Sequence, residues 1–225
     1  MRRRLILPLL LVPSLFVATV SACSAGRHTV DAAILGAGQS SLDRPIDFQR
    51  VDHDALSDAI VKTTNAVRAK HGLPELEHNR TLDEAGASHA RRMVDKQFLS
   101  HDDPFDERRR TPADRVRRAG GSNPTPAENI ADVPAFRIES GQPFYVLDAD
   151  EPVIALEPEG PPVERHTYAS YAASVVEGWM NSPGHRKNLL HPDALEIGVG
   201  AAMYRQNEVP TFIVVQVFQL FEPLK

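Results

Sequence analysis

The histidine at position 185 stands where a side chain could accept a proton or bind a metal. It follows Ser182, Pro183 and Gly184. Serine is a favourable N-cap residue, and proline fits the first position of a helix because no N–H donor is needed there. The pattern therefore predicts a short helix with His185 in its first turn. The positive end of a helix dipole disfavours imidazolium, so we expect a neutral His185 with a free lone pair.

His185 belongs to a series of short motifs. In chain order they are Leu82-x-x-Ala85-x-x-x-His89-Ala90-x-x-Met93, Phe98-Leu-Ser100-His101-x-Asp103-Pro104, Glu128-Asn129-Ile130-Ala131, Glu177-Gly-Trp179 through His185 to Asn188, and Val214-Val-Gln216-Val-Phe218. Each motif alone occurs by chance. Together, in this order, they resemble the bacterial branch of the CAP superfamily, the cysteine-rich secretory, antigen five and pathogenesis-related proteins. The resemblance covers most of residues 54–218.

The resemblance implies that His101, Glu128 and His185 line a central cleft. Two neutral imidazoles and one carboxylate suit a divalent metal such as zinc with an open coordination position. The family's fuller cluster has a second glutamate shortly after the tryptophan of the third helix, whereas Trp179 is followed here by Met, Asn and Ser. Glu177 belongs to a different turn, so it is not expected to replace that glutamate. We therefore predict a metal or ligand site with three protein groups.

Other polar and aromatic positions have simpler structural interpretations. His89 falls on the apolar face of the second predicted helix, which indicates a core histidine with a hydrogen-bond partner. Ser100 and His101 are adjacent, and neighbours in an extended chain point to opposite sides, so a nucleophile–base dyad is geometrically poor. Ser182 is expected to cap a helix, and Trp179 to lie in the core. Gly198 and Gly200 indicate close backbone packing in a strand.

The amino terminus is typical of a bacterial lipoprotein precursor. A basic start is followed by an apolar run at residues 5–20 that is interrupted by prolines and short for a membrane-spanning helix. Val20-Ser-Ala-Cys23 resembles a lipobox, in which the cysteine is acylated after cleavage. Cys23 is the only cysteine, so it forms no internal disulfide. We predict a signal peptide at residues 1–22 and a membrane anchor through acyl chains on Cys23.

The remaining chain divides into a tether and one folded domain. Residues 23–50 are rich in small and polar residues with little periodicity, which predicts a flexible tether. The resemblance implies that residues 51–225 form a CAP domain, and a hydrophobic fraction of 42% is enough for a core. The formal charge is −5, or −8 without the three arginines of the signal peptide. This charge argues against nucleic-acid binding, which needs concentrated positive charge.

Periodicity predicts the elements that position the motifs. Helices are expected at 55–70, from a capping box at Thr81–Glu84, and at 168–180, and strands at 196–204 and 211–218, joined around residues 206–207. The resemblance implies an α+β domain, a three-layer α/β/α sandwich with a central antiparallel sheet. Six arginines within residues 107–118 are interpreted as a solvated surface rather than a basic patch facing anionic lipid.

One segment departs from the family's usual short connection. Residues 134–166 contain six prolines and carry a net charge of −5. The runs 144–147 and 153–156 could pair as a small hairpin. Long connections inside a compact domain are commonly functional flaps or disordered, and the residues do not distinguish the two.

Three functions are compatible with these patterns. We favour a lipid-anchored, extracytoplasmic CAP-domain protein whose cleft binds a divalent metal or a small ligand. A metal-dependent hydrolase or peptidase, with Glu128 as the candidate catalytic base, is the first alternative. A protein-binding surface module, with the acidic segment 134–166 as its recognition element, is the second. A shared fold does not choose among them, because many functions use one fold.

Overall fold

The computed structural model describes residues 4–6, 41–138 and 142–225 of the chain. The elements in these ranges are, in chain order, β1 (Arg4–Ile6), α1 (His53–Lys70), β2 (Glu77–His78), α2 (Arg80–Lys96), α3 (Pro112–Arg118), β3 (Pro126–Pro134), β4 (Phe144–Asp148), β5 (Val153–Ala155), α4 (Tyr168–Asn181), α5 (Pro183–Leu189), β6 (Ala194–Gln206) and β7 (Val209–Leu220). Cys23 and most of the predicted signal peptide and tether lie outside the described residues. None of the helices in these ranges has the length and apolar character needed to cross a membrane.

A four-stranded sheet in the order β2-β6-β7-β3 forms the middle of the domain. Strands β6, β7 and β3 pair antiparallel, as predicted, whereas the two-residue β2 pairs parallel with β6. Helices α1 and α4 pack with one apolar cluster of this sheet, and α2 and α3 with the other. The three-layer α+β architecture is thus confirmed, with a mixed rather than a wholly antiparallel sheet.

The acidic segment forms part of the folded domain. Strands β4 and β5 pair as the predicted hairpin, and β1 adds to β4 in a three-stranded sheet. Phe144, Val146 and Ile154 are buried in the same cluster as residues of α1 and α4. The hairpin therefore contributes side chains to the main core, which a mobile flap does not. Strand β1 lies within the predicted signal peptide.

The ends of the elements differ in detail from the sequence predictions. Helix α2 is capped by Asn79, whose side-chain oxygen accepts from the Thr81 N–H at 2.9 Å, so the predicted capping box at Thr81 was wrong. The folded part also begins before the predicted boundary at residue 50, since the side chain of Ile46 is 1% exposed. The buried side chain of Ile46 packs in the main core, and this contact holds the segment before α1 against the domain.

Strand β7 is buried along all twelve of its residues. Within it, the Gln216 side chain donates to the Thr64 hydroxyl at 2.9 Å and accepts from the Asn129 amide at 3.1 Å. Neighbouring β6 approaches α2 very closely, because a Cβ added to Gly200 would stand 1.8 Å from the Ala87 nitrogen. The predicted glycine packing is confirmed.

Candidate functional site

Glu128, on β3, is the centre of the candidate site. Its carboxylate is buried, with a side-chain exposure of 2%. One oxygen, Oε1, accepts from Nδ1 of His101 at 2.9 Å, and the other, Oε2, accepts from Nη2 of Arg115 at 2.7 Å. The structure thus brings together two of the three predicted residues and adds a buried cation, Arg115, from α3.

Arg115 is the residue that the sequence reasoning missed. It is 3% exposed, so it does not belong to the solvated arginine surface predicted for residues 107–118. Its guanidinium also donates to the carbonyl oxygens of His101 and Arg110, at 2.9 and 2.8 Å. Nothing within the arginine run distinguishes Arg115, because Glu128, its partner, lies on a different element thirteen positions away.

The loop that carries His101 is held from behind. His89 is fully buried, and its Nε2–H donates to the carbonyl oxygen of Ser100 at 2.8 Å. Asp103, whose side chain is also fully buried, accepts from Nε of Arg92 at 2.9 Å. His89 is therefore the core histidine that was predicted, and its hydrogen bond fixes the residue directly before His101. The Ser100 hydroxyl accepts from the Asp102 N–H and forms no dyad with His101.

His185 lies in the first turn of α5, as predicted. Ser182 occupies the N-cap position, but its side chain makes no capping hydrogen bond, so that part of the prediction was wrong. Helix α5 is instead tied to β3 by two amides. Asn129 donates to the carbonyl oxygen of His185 at 3.2 Å, and Asn188 donates to that of Glu128 at 3.1 Å. These bonds set the position of His185 relative to Glu128.

The two imidazoles have opposite electrostatic environments. The hydrogen bond to Glu128 raises the pKa of His101, although part of its ring is buried. Burial lowers the pKa of His185, and the positive charge of nearby His101 lowers it further. The helix dipole was expected to favour the neutral form of His185; in the structure, burial and the neighbouring histidine are what lower its pKa. His101, Arg115, Glu128 and His185 are together called the histidine site below.

The donor set of the histidine site fits a bound zinc ion poorly. The Glu128 side chain is 2% exposed and each of its oxygens accepts a hydrogen bond, so the rings of His101 and His185 are the groups accessible to a metal. Catalytic zinc sites use three protein ligands. Across residues 4–6, 41–138 and 142–225, no three His, Cys, Asp or Glu side chains are grouped to hold a metal. Glu128 orients His101 rather than facing a ligand, and this placement is also unfavourable for a catalytic base.

Trp179 supports the site from the core of the domain. The indole is 1% exposed, as predicted, and its Nε1–H donates to the carbonyl oxygen of Ile130 at 3.3 Å. This bond joins α4 to the strand that carries Glu128. Helix α4 is therefore fastened to β3 two residues after Glu128.

Comparisons with known proteins identify the family of the chain. A family model described as the cysteine-rich secretory protein family (CAP) matches residues 61–218. The uncharacterized protein YkwD of Bacillus subtilis (strain 168) is 33% identical over 141 residues, which are 63% of this chain and 40% of that protein. The uncharacterized membrane protein YlbC of the same organism is 30% identical over 150 residues, which are 66% of this chain and 32% of that protein.

A solved structure with a similar fold is an extracellular protein containing a SCP domain from Bacillus anthracis str. Ames. It shows 25% identity and a TM-score of 0.49, and the match covers 75% of this chain and 41% of that one. The chain thus spans well under half the length of the Bacillus subtilis relatives that it matches, 40% of one and 32% of the other.

Proposed function

Because the chain belongs to the cysteine-rich secretory protein (CAP) family, we propose that it is a binding protein whose histidine site takes a small anionic ligand. The observation that carries this proposal is the hydrogen-bonded chain from Arg115 through Glu128 to His101. It holds the His101 ring in one orientation and, by raising its pKa, favours the imidazolium form, in which Nδ1–H donates to the carboxylate and Nε2–H is left for an anionic ligand. His185 supplies the second ring.

Charge supports an anion over a divalent cation at this site. The single carboxylate of Glu128 is matched by the buried guanidinium of Arg115 at 2.7 Å. The groups left for a ligand are two imidazoles, which are neutral or positive. The site therefore has no excess negative charge to attract a divalent cation, whereas a carboxylate or phosphate group can accept hydrogen bonds from ring N–H groups.

Inorganic phosphate and zinc chloride, added separately, distinguish the two ligand classes. We expect phosphate to raise the thermal midpoint of the wild-type chain, because a ligand that binds only the native state stabilises it by mass action. The shift should vanish in His185→Ala and persist in His71→Ala, a matched change at an exposed histidine next to α1. Equal phosphate shifts in wild type and His185→Ala would overturn the proposal. A zinc shift that requires His185, with no phosphate shift, would replace it by the predicted metal site.

The hydrolase alternative has its own test. Cleavage of a peptide or ester by the wild-type chain that disappears in Glu128→Gln, with the unfolding midpoint retained, would replace the binding proposal. Phosphate binding without turnover on a broad substrate panel supports it.

We also propose that the protein is extracytoplasmic and anchored through an acylated Cys23. The support is the lipobox-like Val20-Ser-Ala-Cys23 after a basic and then apolar start. The full-length protein should partition with membranes, and Cys23→Ser should move it to the soluble fraction or leave the precursor uncleaved. Unchanged partitioning and processing in that variant would reject the anchor.

A further inference from the structure

The central sheet has an open edge beside β6. Strand β2 is two residues long and β6 is thirteen, so β2 pairs only with Glu196 and Ile197. The chain leaves this edge at Asn79, whose N–H donates to the carbonyl oxygen of Ile197 at 2.9 Å, and then begins α2. Beyond Ile197, no strand of the described residues continues the sheet on this side.

The backbone groups that face this edge follow from the strand alternation. In an antiparallel ladder, successive residues direct N–H and C=O to opposite sides. The backbone carbonyl of Ile197 points toward β2, so the backbone groups of Val199, Ala201 and Met203 point to the same side. The Val199 N–H donates to Oδ1 of Asp83 at 2.6 Å. Asp83 thus substitutes for a strand at the first open position, while Ala201 and Met203 direct their backbone groups away from β7.

These backbone groups border a groove of about 670 Å³. Residues 48–57, which lead into α1, line one side of the groove and one face of α2 the other, with the edge of β6 between them. A volume in this range is typical of ligand sites. The β6 edge contains Gly200, Ala201 and Ala202, none of which carries a side chain larger than a methyl group.

Two charged side chains of α2 line this groove without a counter-ion. Glu84 and Arg91 are exposed, and neither forms an ion pair with another described residue, whereas Arg80 pairs with Asp54 and Asp83. Helix α2 runs alongside β6, so the negative charge lies toward the start of the open edge and the positive charge toward its end. Seven residues of helix separate them by about 10 Å.

We propose that this groove binds an extended peptide, which adds a strand to the open edge of β6. Main-chain hydrogen bonds to Ala201 and Met203 would supply affinity, as in other cases of strand addition. One basic side chain near Glu84 and one acidic side chain near Arg91 would supply selectivity. At about 3.3 Å per residue, two side chains four positions apart on one face span about 13 Å, which suits this charge separation.

Two synthetic peptides test the proposal on the full chain. They are acetyl-Val-Lys-Val-Thr-Val-Glu-Val-amide and the same peptide with Lys and Glu exchanged. One of them should bind, shifting the backbone amide resonances of Ala201 and Met203 and slowing their hydrogen exchange. The paired variant Glu84→Gln with Arg91→Gln should weaken that peptide about fivefold, since two exposed ion pairs contribute about 1 kcal/mol in total. Exchanging the charges, Glu84→Arg with Arg91→Glu, should make the other peptide the preferred ligand.

Matched controls separate strand addition from adsorption. Arg117→Gln, at an exposed arginine of α3, should leave peptide affinity unchanged. Methylation of the peptide nitrogens that face β6 should abolish binding, and methylation of the alternate nitrogens should not. Equal affinity of both methylated peptides, or no change at Ala201 and Met203 with either probe, would overturn the proposal. Protection of these amides in the free protein that disappears on dilution would overturn it in favour of a second copy of the chain.

Discussion

The histidine site and the groove beside β6 use the same central sheet but treat their polar groups in opposite ways. At the histidine site, the buried carboxylate of Glu128 has a partner for each oxygen, and amide side chains fasten α5 to β3. In the groove, Asp83 satisfies one edge amide, and the next amides along β6 have no strand beside them. A site of the first kind is rigid before a ligand arrives, because its groups already depend on each other. A site of the second kind leaves groups free for the ligand itself.

The comparison predicts its largest effect at Arg115. Arg115→Met leaves the buried Glu128 carboxylate without its cation, which is expected to cost about 3–5 kcal/mol of unfolding free energy. Urea unfolding of the variant measures this loss. Arg117→Met is the control, because the exposed pair of Arg117 with Asp114 should contribute less than about 1 kcal/mol. A loss below about 1 kcal/mol in Arg115→Met would show that the ion pair does not stabilise the site.

The second largest effect is expected where β6 packs against α2. Gly200→Ala forces a methyl group against the backbone of Ala87, so we expect a loss of about 1–3 kcal/mol from overpacking. Gly178→Ala, in the exposed part of α4 where a Cβ meets no atom within 4 Å, should instead stabilise the helix by about 0.5–1 kcal/mol. Differential scanning calorimetry of both variants checks the difference. Equal midpoints would mean that α2 can move away from β6.

Asp83 makes a smaller and pH-dependent contribution. Burial raises its pKa, but hydrogen bonds from His78, Ser57 and the Val199 N–H outweigh burial and hold the pKa below its usual value. The folded state therefore binds this proton less readily than the unfolded state, so stability is present above about pH 4 and falls as the pH drops below it. Asp83→Asn should lose about 1–2 kcal/mol at pH 7 and show a weaker acid dependence. Parallel acid dependences in the two proteins would contradict this role.

The smallest effect is expected at the free charges of the groove. Glu84→Gln and Arg91→Gln should each change the unfolding free energy by less than about 0.5 kcal/mol, because both side chains are exposed and unpaired within the described residues. Chemical unfolding with matched protein concentrations measures this. A larger loss would mean that these charges stabilise the fold. The groove would then resemble the histidine site, whose polar groups are already paired.

Patterns within single segments of the sequence predicted many of the helices and strands. The helical spacing of apolar residues in α1 and α4, and the apolar runs of β6 and β7, predicted these elements to within a few residues of their observed ends. Two apolar runs around an acidic turn indicated that β4 and β5 could pair as a hairpin, which the structure shows. These predictions succeeded because the signal lies within each segment.

Contacts between distant segments were not predictable in the same way. The pairing of Arg115 with Glu128, and that of Asp83 with the Val199 N–H, join residues on different elements, and neither partner has a local pattern that indicates the other. The parallel pairing of β2 was missed because two residues are too few for a strand pattern. Motif resemblance identified His101, Glu128 and His185, but the roles within the site depend on geometry.

The apolar sequence that lets β7 be completely buried also affects the unfolded chain. The run from Phe212 to Val215 is apolar, β-branched or aromatic, and uncharged, which is the composition that stacks into intermolecular β-structure. Gln216 interrupts it. Slipping β7 by one residue against its neighbours would turn this amide to the other face of the sheet, away from Thr64 and Asn129. A chain that is unfolded by heat therefore exposes an aggregation-prone strand, and one buried amide penalises its misaligned pairing.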